Sequence, residues 1–193
     1  LDERRLEKSV HKVENIVGEM SETITDFSEF LKPTKEKISF DVVDCVDSAI
    51  SLMEESINLH KIKINIVCDT ERKAYGYYND MTHVIFNLLN NARDAIVDAH
   101  PDERNIAVKV SDEGDMIRIS VFNTGEGIDP QYSQRIFEPY FTTREESGGT
   151  GLGLYISRCI VEDRLNGSIS MKNVKGGVEF DVTIPASREK KEQ

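Results

Sequence analysis

Residues Asn87–Ala95 read NLLNNARDA. The Leu and Ala positions keep helical spacing, yet three of the nine residues are asparagine, each costing about half a kcal/mol or more against alanine inside a helix. On a wheel of about 100° per residue, the surrounding segment from about 80 to 99 places Val84, Leu88, Ala92, Ala95 and Ile96 on one side. Asp80, His83, Asn87, Asn90, Asn91 and Asp94 fall on the other. One reading is a solvated face, although such faces ordinarily use Glu, Lys or Gln. The other is a ligand-binding face, because Asn87 and Asn91 lie four apart and project together. Two neutral amide oxygens can help hold a hard cation such as Mg2+ beside a polyphosphate, where paired aspartates would repel the phosphates.

On either side of this helix the apolar period changes to two. Ile62, Ile64, Ile66 and Cys68 alternate before it and predict a half-buried strand. After it, IAVKV at 106–110 and IRISVFN at 117–123 are joined by the turn-like DEGD and predict a hairpin. GSISMKN and GVEFDVTIP supply two final strands, and amphipathic patterns predict further helices over 42–57 and about 151–165. The sum is an α+β fold over 37–186, a two-layer α/β sandwich whose mixed, mostly antiparallel sheet carries helices on one face.

The first 36 residues follow a different rule. Leu6, Val10, Val13, Val17, Met20, Ile24, Phe27 and Leu31 alternate spacings of four and three, the seam of a coiled-coil-like helix that must be buried against other helices. Pro33 stops it, and residues 187–193 form a charged tail. The 193 residues carry a formal charge of -11, from 24 Lys and Arg against 35 Asp and Glu, which argues against nucleic acid or an anionic membrane as partner. The three cysteines form no CxxC, no apolar run reaches transmembrane length, and the charged start lacks both a signal-peptide pattern and an initiator Met. A reducing cytoplasm and a fragment of a longer protein are the expectations.

Two glycine loops frame the second half of the sandwich. NTGEGI at 123–128 follows a strand directly, and its glycines allow close backbone approach to a ligand. GGTGLGL at 148–154 runs straight into a helix, so free backbone N–H groups and the positive end of the helix dipole meet whatever the loop encloses. It lacks the GK[ST] ending of a Walker loop and the GxGxxG of a dinucleotide fold. Between the loops, RIFEPYFTTREESGG sets an aromatic cluster (Phe137, Tyr140, Phe141) before small polar and charged residues. That is the pattern of a hinged lid, with Thr143 and Arg144 able to close over phosphate.

In this order, the asparagine helix, NTGEGI, IFEPYFTTR and GGTGLGL resemble the N, G1, F and G2 boxes of the catalytic ATP-binding domain of sensor histidine kinases. The match covers about 38–186 and is most similar to the nitrogen-regulation and C4-dicarboxylate types. The resemblance implies a Bergerat-type fold, ATP and Mg2+ as cofactors, and transfer of the γ-phosphoryl group to a histidine on a dimerisation hairpin, then to an aspartate of a response regulator. Carried over by motif, Asn91 is the Mg2+ ligand and Asn87 a catalytic residue beside the phosphates. Gly125 and Gly127 lie against the nucleotide, Thr143 and Arg144 are lid contacts with Arg144 catalytic, and Gly149, Thr150, Gly151, Leu152, Gly153 and Leu154 form the phosphate cradle. Asn90 falls at a variable position and reads as a solvated side chain.

Three positions depart from the family. Asn123 stands where an Asp often reads the adenine amino group, which predicts weaker adenine discrimination. His83 stands where related hydrolytic ATPases place a water-activating Glu, so transfer to another nucleophile is favoured over rapid hydrolysis. Asp94 stands where many such kinases have a Lys in the nucleotide site, and a carboxylate there is expected to repel phosphate. The heptad helix resembles the second helix of the dimerisation hairpin and implies a homodimer. Its one histidine, His11, is followed by Lys12 rather than an acid and reads as a surface residue, leaving the phosphoacceptor outside this chain. A serine kinase of the same fold and a non-catalytic nucleotide-gated module are the competing readings.

Overall fold

The computed structural model of the protein describes residues 36–144 and 149–187. The heptad positions Leu6 to Leu31, with His11 among them, and the charged tail lie outside those residues. Ten elements follow in chain order: β1 (Ile38–Phe40), α1 (Val42–Leu59), β2 (Lys63–Asp69), β3 (Ala74–Gly76), α2 (Tyr78–Ala99), β4 (Asn105–Glu113), β5 (Met116–Asn123), α3 (Gly153–Cys159), β6 (Ser168–Val174) and β7 (Gly177–Pro185).

The alternating strands pair as one five-stranded sheet of order β2-β4-β5-β7-β6, with β2 parallel to β4 and every other pair antiparallel. The register aligns apolar residues into rows across the sheet. One row runs Val110, Ile119, Val182, Ile169 and the next Val108, Val121, Phe180, Met171. Directly opposed side chains share a face, so each row is a continuous strip of core. α2 packs on that face against β4 and β5, and α1 packs on α2.

Asp41 caps α1 by accepting from the Val43 N–H at 2.9 Å, and Val42, Cys45, Val46, Ala49, Met53 and Ile57 bury its inner stripe. α2 is buried more widely than its wheel implies, with Met81, Ile85 and Leu89 joining Val84, Leu88, Ala92 and Ile96. It is packed by α1 as well as by the sheet.

The opposite sheet face is a polar ladder. Asp181 lies between Lys172 at 2.8 Å and Arg118 at 3.5 Å, Ser120 donates to it, and Arg118 also pairs with Glu113.

Two expectations are corrected. β2 is not half-buried, being one of the sheet's two edge strands: Ile66 and Val67 are 37% and 50% exposed. The last helix starts at Gly153 rather than Gly151, and from Ile160 to Arg164 it widens, the Leu165 N–H reaching back five residues to the Ile160 carbonyl at 3.0 Å. There Arg164 meets Asp80 at 2.7 Å and lies 5.3 Å from the Tyr77 ring centroid, tying the end of the third helix to the start of the second. Burial raises the Asp80 pKa, with Arg164 and His83 pulling against it. β1 and β3 pair with each other and are too short to show alternation in sequence.

Candidate functional site

The site forms along one stripe of α2. Asn87, Asn91, Asp94 and Asp98 recur at intervals of four, three and four, so they lie one above another on the helix surface. Asn87 is 7% exposed, and its Nδ2 donates to the Gly153 carbonyl at 3.4 Å and to Ser157 Oγ at 3.3 Å. This braces α2 against the first turn of α3 while the amide's Oδ1 stays uncommitted. Asn91, one turn on, is half-buried and makes no side-chain hydrogen bond to the described residues. Asn90 is half-buried.

At the other end, Asn123 closes β5 with 2% of its surface exposed, and its Nδ2 has no hydrogen-bond partner among the described residues. Gly125 sits on α2 so closely that a Cβ there would lie 2.7 Å from that of Ala95. The glycine is required by approach, not by a turn. From Asn87 to Ala95 the helix advances about 12 Å at 1.5 Å per residue, a span comparable to a nucleotide laid from phosphate to base. The amide of Asn123, buried and unpaired among the described residues, is costly until something meets it, and the half-buried Asn91 offers a second uncommitted amide.

The lid base and the second glycine loop pack on each other. Gly151 adopts φ +66°, and a Cβ on it would lie 2.5 Å from the Tyr140 carbonyl carbon and 2.8 Å from the Phe141 nitrogen. Aromatic contacts anchor this region: Tyr132 to Phe141 at 5.4 Å between centroids, and Phe137 to Phe180 edge-on at 6.4 Å. The Gly149 N–H donates to the Arg144 carbonyl at 3.0 Å and the Arg144 N–H to Thr142 Oγ1 at 3.0 Å. Thr150 Oγ1 accepts from the Leu152 N–H at 3.4 Å, and Leu152 and Leu154 pack against the core. Thr143 is exposed.

Arg144 reaches back to α2, 2.8 Å from Asp94 and with its Nε 2.7 Å from Asp98. Asp94 also pairs with Arg93 at 2.6 Å. The carboxylate expected to repel phosphate is therefore neutralised by two guanidinium groups. Arg144 meets α2 about two to three turns from Asn87, toward the base end of the stripe.

Residues 76–188 match the family described as histidine kinase-, DNA gyrase B- and HSP90-like ATPases. The chain belongs to this ATPase family.

Among its relatives, the ATPase domain is 32% identical over 186 residues to the two-component sensor PprA of Pseudomonas aeruginosa, covering 94% of this chain and 19% of that protein. The chain thus spans about a fifth of that relative's length. In structure it is similar to the catalytic domain of histidine kinase ThkA in a nucleotide-free form, with TM-score 0.69 and 31% identity over 80% of this chain and all of that one. It is also similar to ThkA crystallised with the response regulator protein TrrA, at TM-score 0.69 and 29% identity over 91% of this chain and 50% of the other. The mixed sheet with helices on one face is the architecture of those catalytic domains.

The structure brings the sequence-derived residues of the ATPase site into two groups: Asn87 with Gly153, and Asn123 with Gly125 against α2. Gly127 lies against Asn173 rather than against the helix. Sequence reasoning missed Asp98 and Ser157. Asp98 continues the spacing of the asparagine stripe and was accessible to the same wheel. Ser157 lies on the inner face of its helix with no exposed surface, and nothing in the sequence distinguishes it from a core-lining small residue.

Proposed function

We propose that the chain is the ATP-binding kinase domain of a two-component sensor histidine kinase, using Mg-ATP. The observation that carries the reading is the brace from Asn87 to Gly153 and Ser157. It holds the polar stripe of α2 beside the N-terminal turn of α3, where backbone N–H groups lack intrahelical partners. Asn91 would supply an amide oxygen to Mg2+, with Asn87 beside the phosphates. When bound, the ion neutralises charge on the transferring phosphate. No group of three or more His, Cys, Asp or Glu side chains among the described residues is placed to hold a metal. The Asn91 amide and the nucleotide's own oxygens make up the proposed ligand set.

In the proposed reaction the bond from the β,γ-bridging oxygen to the γ-phosphorus breaks, a histidine nitrogen takes the phosphoryl group and ADP leaves. The absence of a carboxylate at His83 favours this transfer over hydrolysis. The acceptor lies on a dimerisation hairpin outside this chain, the heptad seam pairs two copies, a response-regulator aspartate receives the phosphoryl group, and the setting is cytoplasmic. ThkA's crystallisation with a response regulator supports that partner class. No described helix is long and apolar enough to cross a membrane.

Incubating the full chain with γ-labelled ATP is expected to give Mg-dependent binding without self-labelling, and adding a histidine-bearing hairpin in trans to give acid-labile phosphohistidine on the hairpin. Acid-labile label on His11 would overturn the assignment. The buried, unpartnered Nδ2 of Asn123 supports relaxed base recognition, since one amide can accept from adenine's amino group or donate to guanine's carbonyl. Calorimetry with ATP and GTP tests this, and a preference above roughly a thousandfold excludes it.

A further inference from the structure

The loop from Asn123 to Ile128 must travel. Asn123, Val178 and Asn173 are successive partners in one row across β5, β7 and β6, so they share a sheet face. The loop leaves the central strand at Asn123 and reaches the outer strand by Ile128, crossing two strand spacings of about 5 Å each. At its start, Thr124 is tied toward β4: its N–H donates to the Asn105 carbonyl at 3.1 Å, its Oγ1 accepts from the Asn105 N–H at 3.0 Å and donates to the Glu103 carbonyl at 2.6 Å. At its end, Asn173 reads Ile128 as a neighbouring strand would. Asn173 Oδ1 accepts from the Ile128 N–H at 2.9 Å, and Asn173 Nδ2 donates to the Ile128 carbonyl at 2.6 Å. The same amide stands 3.3 Å from the Cβ position of Gly127.

Gly125, Glu126 and Gly127 are thus held between anchors that pull in opposite directions across the sheet. Two glycines in three residues give a backbone that can approach a ligand closely, but they also carry the largest conformational entropy of any residues. Something outside the loop must fix it if its backbone is to meet a nucleotide in one conformation. Thr124 fixes only the end nearest the base.

We propose that Asn173 is a positioning residue for the nucleotide site: a side chain on the far edge strand that sets where Gly125–Gly127 stand against the ligand. The inference rests on the ATP-binding reading. Among the described residues the Asn173 side chain hydrogen-bonds Ile128 and no residue of α2 or the second glycine loop, so its effect is exerted through the loop. Because its two bonds are exposed, they contribute little to global stability. Their effect falls on binding, which must otherwise order the loop.

The test compares wild-type, Asn173→Ala and Asn173→Ser full chains by Mg-ATP calorimetry, thermal unfolding and amide hydrogen exchange, with Ser170→Ala, on the other sheet face, as control. Two hydrogen bonds of ordinary net strength correspond to a loss of about five- to tenfold or more in affinity. Asn173→Ala is expected to bind that much more weakly, with faster exchange at the Ile128 amide and an unfolding midpoint within about a degree of wild type. Asn173→Ser, whose hydroxyl stops one bond short of the amide atoms that meet Ile128, is expected to bind as weakly as Asn173→Ala, and Ser170→Ala at wild type. Unchanged affinity in Asn173→Ala on a wild-type chain that binds overturns the inference alone. So does a loss of affinity matched by a fall in midpoint, which marks a merely structural residue. A wild-type chain that binds no nucleotide overturns the ATP reading and this inference with it.

Discussion

Asn87 and Asn91 share one helix face in the sequence and differ in their packing in the folded chain. Asn87 is buried and spends its Nδ2 on Gly153 and Ser157, whereas Asn91 makes no bond to the described residues. Asn87→Ala strands the buried Ser157 hydroxyl and opens the brace between α2 and α3, so it is expected to cost about 1–3 kcal/mol of stability and abolish Mg-ATP binding. Asn91→Ala is expected to unfold at the wild-type temperature while losing the Mg2+ dependence of ATP binding. Urea unfolding and calorimetry with and without Mg2+ check the pair; equal destabilisation by both substitutions contradicts the division of labour. The pairing itself was legible because helical spacing fixes which side chains project together. The division was not, because the Ser157 contact joins residues 70 apart in sequence, and periodicity within one helix carries no information about its neighbour.

Elements were legible in proportion to their length. Strands of seven to nine residues such as β4 and β7 show enough alternation to be read, while β1 and β3, three residues each, show none. The burial of β2 depended on its place in the strand order, which a local pattern does not encode. The second glycine loop was legible as a loop, but its tightest constraint was not: Gly151 is pinned against the backbone of Tyr140 and Phe141. Gly151→Ala therefore brings both a positive-φ penalty of about 1 kcal/mol or more and a backbone clash that only displacement of the lid base relieves. ATP affinity is expected to fall by more than tenfold while Asp181 and the sheet register are untouched, which backbone NMR of β5 and β7 would show. Wild-type affinity in that variant would mean that the lid base and the loop separate freely.

On the open sheet face, burial would raise the Asp181 pKa, but hydrogen bonds from Lys172 and Ser120 and the nearby charges of Lys172 and Arg118 outweigh it and hold the carboxyl below its usual value. A lowered folded-state pKa means stability that is present above the unfolded value, about 3.9, and is lost as pH falls through the folded one. The urea midpoint is expected to decline below about pH 4, and Asp181→Asn to flatten that decline. Asp80, raised by burial, acts in the opposite sense, so an unflattened profile in Asp181→Asn would assign the acid loss elsewhere.

At the scale of the whole molecule the sequence poses an electrostatic problem that the fold answers locally. A chain of formal charge -11 repels a polyphosphate at long range, and the cations nearest the stripe are committed: Arg93 to Asp94, and Arg144 to Asp94 and Asp98. Paired charges cancel at a distance, so they do not steer an anion inward. In the proposed site, short-range polar groups, the amides of Asn91 and Asn123 and the helix-terminal N–H groups, do the binding after encounter. Salt then acts oppositely to its usual effect on a basic phosphate site. Raising ionic strength from about 20 mM to about 200 mM shortens the Debye length to less than about 10 Å, screens the global repulsion and loosens the exposed Arg144–Asp98 pair. The association rate of Mg-ATP, followed by stopped flow with a fluorescent analogue, is expected to rise by about two- to fivefold over that range. Asp98→Asn removes one unit of repulsion and one hold on Arg144, so its low-salt rate is expected to approach the wild-type high-salt value. A rate that falls as salt is added would show that Arg144 leaves its carboxylates before the nucleotide arrives and steers it in.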